Sequence, residues 1–326
     1  MITHRTVTVD DIDMRVVDHG EGQPIVLCHG FPGLGYSWRH QIGALADAGY
    51  RVIAPDMRGY GGSSAPTDFR AYDRLHTVAD IVGLLDALDI DRAVFGGHDF
   101  GAHLVWDLPA RVPDRVVALA QFSVPRVART PVRPSVAFEY MAKQHFLHLH
   151  YFQRPGVAEA ELDARPREFL AKLFHALSGD GRYLDCWGFP SDGNGYLDVL
   201  PQPPALPWSW LPEAEFDVYV DEFTRTGFTG GLNWYRAEDL VWEQNAEFHN
   251  VPITVPTTFI VGAQDPVLSM MGDDPLGQTA DRVPGLRSTH VIPGAGHFVQ
   301  MEAADQVNRI LVDFLDGLAL SATPRT

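Results

Sequence analysis

From the first residues to Pro125, short apolar runs alternate with stretches of helical spacing. Thr6 to Val9 and Ile12 to Val17 alternate apolar and polar positions on either side of Asp10-Asp11, which predicts a short hairpin. Pro24 to Cys28 is apolar throughout, the pattern of a strand buried on both faces. Trp38 to Ala48 has helical spacing and stops at Gly49. Arg51 to Ala54 predicts the next strand, Val78 to Leu88 a helix and Ala93 to Phe95 a buried strand. Ala102 to Trp106 then opens a helix, and Val116 to Phe122 is one more strand. Such alternation predicts a mostly parallel sheet with helices on both faces and a site at the carboxyl ends of its strands.

The pattern changes at Pro125. Residues 126–250 are rich in proline, aromatics and irregular turns, as in Pro201-Gln202-Pro203-Pro204 and Pro207-Trp208-Ser209-Trp210. Helical pieces stand out at Val136 to His150, Glu159 to Ala176 and Glu213 to Thr224, with no strands between them. Val255 to Val261 resumes the sheet, Arg287 to Ile292 supplies its last strand, and Val299 to Leu318 closes the chain as an amphipathic helix. The expected organisation is a core of residues 1–125 and 251–326, with 126–250 inserted as a helical lid.

Composition narrows the function. With 326 residues, 45% of them hydrophobic, the chain has enough apolar side chain for a large core. A net charge of −17 opposes binding to nucleic acid or to an anionic membrane surface. Cys28 and Cys186 form no CxxC or metal-like spacing, so no disulfide framework is implied and a reduced, cytoplasmic setting is expected. The first residues lack the apolar region of a signal peptide, and no apolar run approaches the ~18 residues of a membrane span.

The chemistry centres on Gly97-His98-Asp99-Phe100-Gly101. A residue between strand and helix, with glycine two positions before and two after, has the spacing of a nucleophile elbow. The residue there is Asp99, where serine is usual. A lone Asp in such a place reads as a helix N-cap; the paired glycines favour a nucleophile. A carboxylate is already an anion at neutral pH and needs no base to attack. Its natural target is a saturated carbon with an activatable leaving group, which makes an alkyl ester that water must then cleave. His29-Gly30-Phe31-Pro32 follows a strand, and its turn offers the Phe31 N–H beside that of Phe100 as an oxyanion hole. Asp265 and His297 each follow a later strand, in the order nucleophile, acid, histidine of an α/β-hydrolase triad. Asp265 is expected to orient His297, and His297 to take a proton from water.

At this point the sequence resembles a family. His29-Gly30-Phe31-Pro32, Tyr36-Ser37-Trp38-Arg39-His40-Gln41, Asp56-Met57-Arg58-Gly59-Tyr60-Gly61, Gly97 to Ala102 and Gly294-Ala295-Gly296-His297 are similar to segments of the α/β-hydrolase-fold epoxide hydrolases and their haloalkane dehalogenase cousins. Tyr151-Phe152-Gln153-Arg154-Pro155-Gly156 and Gly231-Leu232-Asn233-Trp234-Tyr235-Arg236 resemble the lid segments in which soluble epoxide hydrolases carry two tyrosines. The resemblance therefore assigns activation of the epoxide oxygen to Tyr151 and Tyr235. It implies an epoxide and water as reactants, a vicinal diol as product, no metal or organic cofactor, and a homodimer, and the aromatic and aliphatic content of the lid suggests that the epoxide is apolar. Opening an epoxide releases a basic alkoxide that a phenol can serve, whereas a halide needs no proton. Phe100 stands where the dehalogenases commonly carry tryptophan, which counts against the alternative, a haloalkane or haloacetate dehalogenase. His98, Tyr36, Trp38 and Phe298 are expected near the pocket. His145, His148 and His150 are expected on the surface or in lid packing, since their spacing does not put all three on one helical face.

Overall fold

The computed structural model describes residues 3–318. Its sheet has eight strands: β1 (Thr3–Val9), β2 (Ile12–His19), β3 (Gln23–Cys28), β4 (Tyr50–Pro55), β5 (Ala93–His98), β6 (Val116–Phe122), β7 (Thr257–Gly262) and β8 (Leu286–Ile292). Their spatial order is β1-β2-β4-β3-β5-β6-β7-β8. β1 and β2 form the expected antiparallel hairpin, and β2 is antiparallel to β4. Every pairing from β4 through β8 is parallel. This is an α/β-hydrolase fold.

The apolar runs are buried on both faces because side chains leave a strand on alternate sides. In β3, Ile25 and Leu27 join one core while Val26 and Cys28 join the other. One face is covered by helices Arg39–Asp47 and Ala304–Asp316, which bring Ile42, Leu45, Leu311 and Phe314 against Val52, Val94 and Ala118. The other carries helices Arg74–Ala87 and Phe100–Arg111, with Ile81, Leu84, Leu104 and Leu108 against Ile53, Phe95 and Leu119. The second core runs on without a break into Phe146, Phe169 and Phe174 of the helical segment between β6 and β7.

That segment is more divided than its spacing predicts. The stretch read as one helix over 136–150 is two, Pro134–Ala142 and His148–Tyr151. The stretch read over 159–176 splits into Val157–Leu162 and Pro166–Leu177. Pro166 lacks the N–H that a continuous helix would use, and it holds Arg165 at φ −141°. Helices Tyr196–Val199, Thr229–Arg236 and Glu238–Gln244, which the spacing does not predict, also belong to the segment. The final helix is likewise interrupted, Val299–Glu302 being followed by Ala304–Asp316. No helix among the described residues is long and apolar enough to cross a membrane.

Candidate active site

Asp99 sits between the end of β5 and helix Phe100–Arg111 with φ 54° and ψ −122°, a backbone conformation that costs energy for any residue with a side chain. The turn is tight enough to require its glycines. A Cβ on Gly101 would lie 2.1 Å from the Cys28 carbonyl oxygen, and one on Gly97 would lie 2.5 Å from that of Gly101. Gly101→Ala is therefore expected to force β3 and the elbow apart, at a cost of about 1–3 kcal/mol. Thermal unfolding and turnover measured on the same preparation check this, and both are expected to fall.

The turn after β3 supplies the expected donor. The Phe31 N–H donates to Asp99 Oδ1 at 2.6 Å, and the Phe100 backbone N–H also stabilises the carboxylate. His29 fixes this turn. Its Nε2 accepts from the Met57 N–H at 2.9 Å, so its proton lies on Nδ1 and is donated to the Gly30 carbonyl at 2.9 Å. Gly30 leaves the space that Asp99 occupies, since a Cβ there would lie 2.1 Å from Oδ1.

Beyond β7 and β8 the chain places Asp265 and His297. His297 Nδ1 lies 3.1 Å from Asp265 Oδ2, and its Nε2 lies 3.8 Å from Asp99 Oδ2. Asp265 Oδ1 is itself held by the Val267 N–H at 2.9 Å. Nδ1 donates to Asp265, which turns Nε2 toward Asp99. The His297 backbone is fixed on both sides. Its carbonyl accepts from Ser123 Oγ at 2.6 Å and His98 Nε2 at 2.8 Å, and its N–H donates to Leu177 O at 2.9 Å. The half-buried Glu302 carboxylate accepts from the N–H groups of Gly179 (2.7 Å), Gly296 (2.9 Å) and Phe298 (2.9 Å), closing the loop around the imidazole. Ser123 and Glu302 belong to no motif. Glu302 in particular reads in sequence as a polar position on an amphipathic helix.

Burial pushes the Asp99 carboxyl above the usual carboxylate range, opposed by His297 and by the two backbone N–H groups. Burial draws the His297 imidazole down, but Asp265 and Asp99 together outweigh it and hold it above its ordinary value.

Asp99 and His297 open onto a cavity of about 660 Å³ whose wall includes Phe31, Phe100, Tyr235 and His148. Tyr235 is seated edge-on against Phe31 (5.5 Å), whose N–H holds Asp99, and Phe100 (4.6 Å), the residue after Asp99. Its carbonyl accepts from Gln153 Nε2 at 3.0 Å, while its hydroxyl makes no hydrogen bond among the described residues. Asp107, also on the cavity wall, takes hydrogen bonds or ion pairs from Arg74, Arg126 and Asn245 at 2.7–3.0 Å. Glu238, on the wall near them, is pushed up to about 7 by burial.

The geometry corrects several expectations. Tyr151 is not on the cavity wall: its hydroxyl donates to Glu161 Oε2 at 2.8 Å, and Glu161 also accepts from the Tyr196 and Leu197 N–H groups. The helical turn His148–Tyr151 presents His148 to the cavity instead, against the expectation that His148 only packs or faces solvent. His145 does pack, stacked on Trp187 at 4.3 Å. His98 lies behind His297 (4.6 Å between rings) rather than in the pocket, because its Nε2 is used on the His297 carbonyl. Trp38 is buried under the opposite face of the sheet against Phe122 (5.1 Å). Phe298 packs on Phe174 (4.7 Å), and Tyr36 lies under the Arg39 guanidinium (4.9 Å). None of these four lines the cavity. Among the described residues, no three His, Cys, Asp or Glu side chains are grouped so as to hold a metal ion.

A family model described as the α/β-hydrolase fold matches residues 23–146, the half of the core that contains the elbow. Epoxide hydrolase A of Mycobacterium tuberculosis is 46% identical over 98% of this chain and 98% of its own length. Epoxide hydrolase 1 of Siraitia grosvenorii is 41% identical over 96% and 98%. Among solved structures, epoxide hydrolase A of Mycobacterium thermoresistibile superposes with a TM-score of 0.91 at 46% identity, covering 98% of this chain and 100% of that one. Potato (Solanum tuberosum) epoxide hydrolase I gives 0.88 at 36%, covering 97% and 99%. The chain belongs to the epoxide hydrolase family and is an enzyme of that class. The dehalogenase alternative is not favoured by relatives of this similarity.

Proposed function

We propose that the chain hydrolyses an apolar epoxide to a vicinal diol in two covalent steps, with residues 126–250 acting as the lid over the site. Asp99 Oδ2 attacks one epoxide carbon, the carbon–oxygen bond of the ring breaks, and the leaving oxygen takes the proton of the Tyr235 hydroxyl. Water then gives a proton to His297 Nε2 and adds to Cγ of Asp99, with the oxyanion at Oδ1 held by the Phe31 and Phe100 N–H groups. The intermediate collapses with cleavage of the Cγ–Oδ2 bond. The departing oxygen takes the proton from His297, and the Asp99 carboxyl returns its own proton through solvent to the Tyr235 phenolate.

The observation that carries this reading is the division of labour at one carboxylate. Oδ1 is held at 2.6 Å by the Phe31 N–H, and Oδ2 faces His297 Nε2 at 3.8 Å. An oxygen already in the hole before alkylation is the oxygen on which charge develops during hydrolysis. Tyr235 supports the first step because its phenol is held well above its ordinary range, by burial first and then by Asp99, and stays protonated as a donor.

The test compares two phenols by rapid-quench single turnovers on an aryl epoxide. Tyr235→Phe is expected to slow formation of the ester by about a hundredfold. Tyr151→Phe is expected to leave it within about twofold, since that hydroxyl is engaged by Glu161. The reverse ranking would overturn the assignment. The pH dependence supplies a second check. Ester hydrolysis needs neutral His297, so its rate is expected to fall as pH is lowered through the imidazole pKa. Asp265→Asn removes the leading contribution that holds the proton on, so the acid limb of hydrolysis should move to lower pH while the rate drops.

A further inference from the structure

Tyr183 and Tyr196 also line the cavity, but their hydroxyls are bonded to each other and to His148, so Tyr235 is the phenol left to the opening epoxide, and a second donor stands beside it. We infer that His148 supplies the second hydrogen bond to the epoxide oxygen, through Nε2–H; this rests on the reading above and completes it. His148 lines the same cavity as Asp99, His297 and Tyr235, and its ring stands at 87° to that of Tyr235 with 5.9 Å between centres. Its other faces are used in packing: it lies parallel to Tyr196 (5.9 Å) and edge-on to Tyr183 (5.7 Å) and Phe152 (5.9 Å). The ring is therefore held in place by three aromatic neighbours.

Hydrogen-bond bookkeeping fixes its tautomer. The Tyr183 hydroxyl lies 2.6 Å from His148 Nδ1 and 2.8 Å from the Tyr196 hydroxyl. If Tyr183 donates to Nδ1 and accepts from Tyr196, both phenol protons are bonded and the imidazole proton must lie on Nε2. In the opposite arrangement Nδ1–H donates to Tyr183, Tyr183 donates to Tyr196, and the Tyr196 proton has no acceptor among the described residues. A buried hydroxyl without a partner is costly, so the first arrangement wins. Nε2–H then remains as a donor on the cavity wall that makes no hydrogen bond among the described residues.

Charge agrees with a donor and opposes a base. Burial, with a smaller contribution from His297, draws His148 down to about 3, so the ring is neutral across the working pH range. A neutral imidazole N–H polarises the carbon–oxygen bond without giving up its proton. Proton transfer stays with Tyr235, and His148 shares the charge that develops on oxygen.

The experiment measures ester formation and ester hydrolysis separately, by rapid quench on the full-length protein with an aryl epoxide. His148→Phe is expected to slow ester formation at least tenfold while hydrolysis of the formed ester stays within about twofold. His148→Gln, which restores an N–H donor at similar reach, is expected to recover most of that loss. Tyr183→Phe leaves His148 in place but releases its tautomer, and should give an intermediate rate; it also serves if His148→Phe does not fold. Unchanged ester formation in His148→Phe, an equal loss in both steps, or no recovery in His148→Gln would overturn the inference. These outcomes are distinct from failure of the mechanism itself, in which the wild type would form no Asp99 ester at all.

Discussion

Replacing His297 with Gln is expected to give a protein that consumes about one epoxide per active site and then stalls. Asp99 keeps its hole donor at 2.6 Å and its place at the elbow, so the alkylating step survives. Hydrolysis loses the base whose Nε2 faces Oδ2, and steady turnover should fall by about a thousandfold, within the range typical of a positioned general base. Intact mass should then rise by the mass of one epoxide, on the peptide that contains Asp99. Asp99→Ala should show neither the burst nor the adduct. A His297→Gln protein that turns over normally, or that stalls without any adduct, contradicts this account.

The second large effect is on stability. The fully buried Arg58 and Asp80 form a two-pronged pair, with Nε–Oδ2 at 2.8 Å and Nη2–Oδ1 at 2.6 Å. The Arg58 carbonyl also accepts from Trp234 Nε1 at 3.0 Å, next to Tyr235. Asp80→Ala strands a buried guanidinium, whose remaining carboxylate partner, Asp11, is half exposed. Removing one member of a buried ion pair typically costs about 3–5 kcal/mol. Chemical denaturation should show a loss of that order. A loss under about 1 kcal/mol would mean that Arg58 is satisfied by other groups. Because Arg58 anchors Trp234, ester formation in any folded fraction should also slow.

The core was legible because two simple periodicities wrote it. Runs such as Pro24 to Cys28 had to be buried on both faces, and glycines at 97 and 101 had to flank a tight turn. Those constraints placed Asp99, Phe31, Asp265 and His297 at strand ends, where the structure has them. The helical segment was much less legible. There, which residue of a short turn faces the cavity depends on how several aromatic side chains pack together, and no period encodes that. His148 and Tyr151 share a single turn of helix, yet one lines the cavity and the other is tied to Glu161, ten residues further on. The resemblance drew attention to a tyrosine and passed over the histidine three positions before it. Trp38 shows the same limit in the core. Its sequence neighbourhood matched the family, but the alternation that buries helix Arg39–Asp47 put it on the far side of the sheet. Glu302 and Ser123 hold His297 through backbone groups alone, and such contacts leave no pattern in side-chain type.

In the proposed mechanism the oxygen delivered to the first diol comes from Asp99 and not from solvent. A single turnover with enzyme in excess, run in water enriched in oxygen-18, tests it most directly. An unlabelled diol and one heavy oxygen in the carboxylate of Asp99 are expected. A labelled diol released from an unlabelled Asp99 would mean that water opens the epoxide itself, and the covalent mechanism would be wrong.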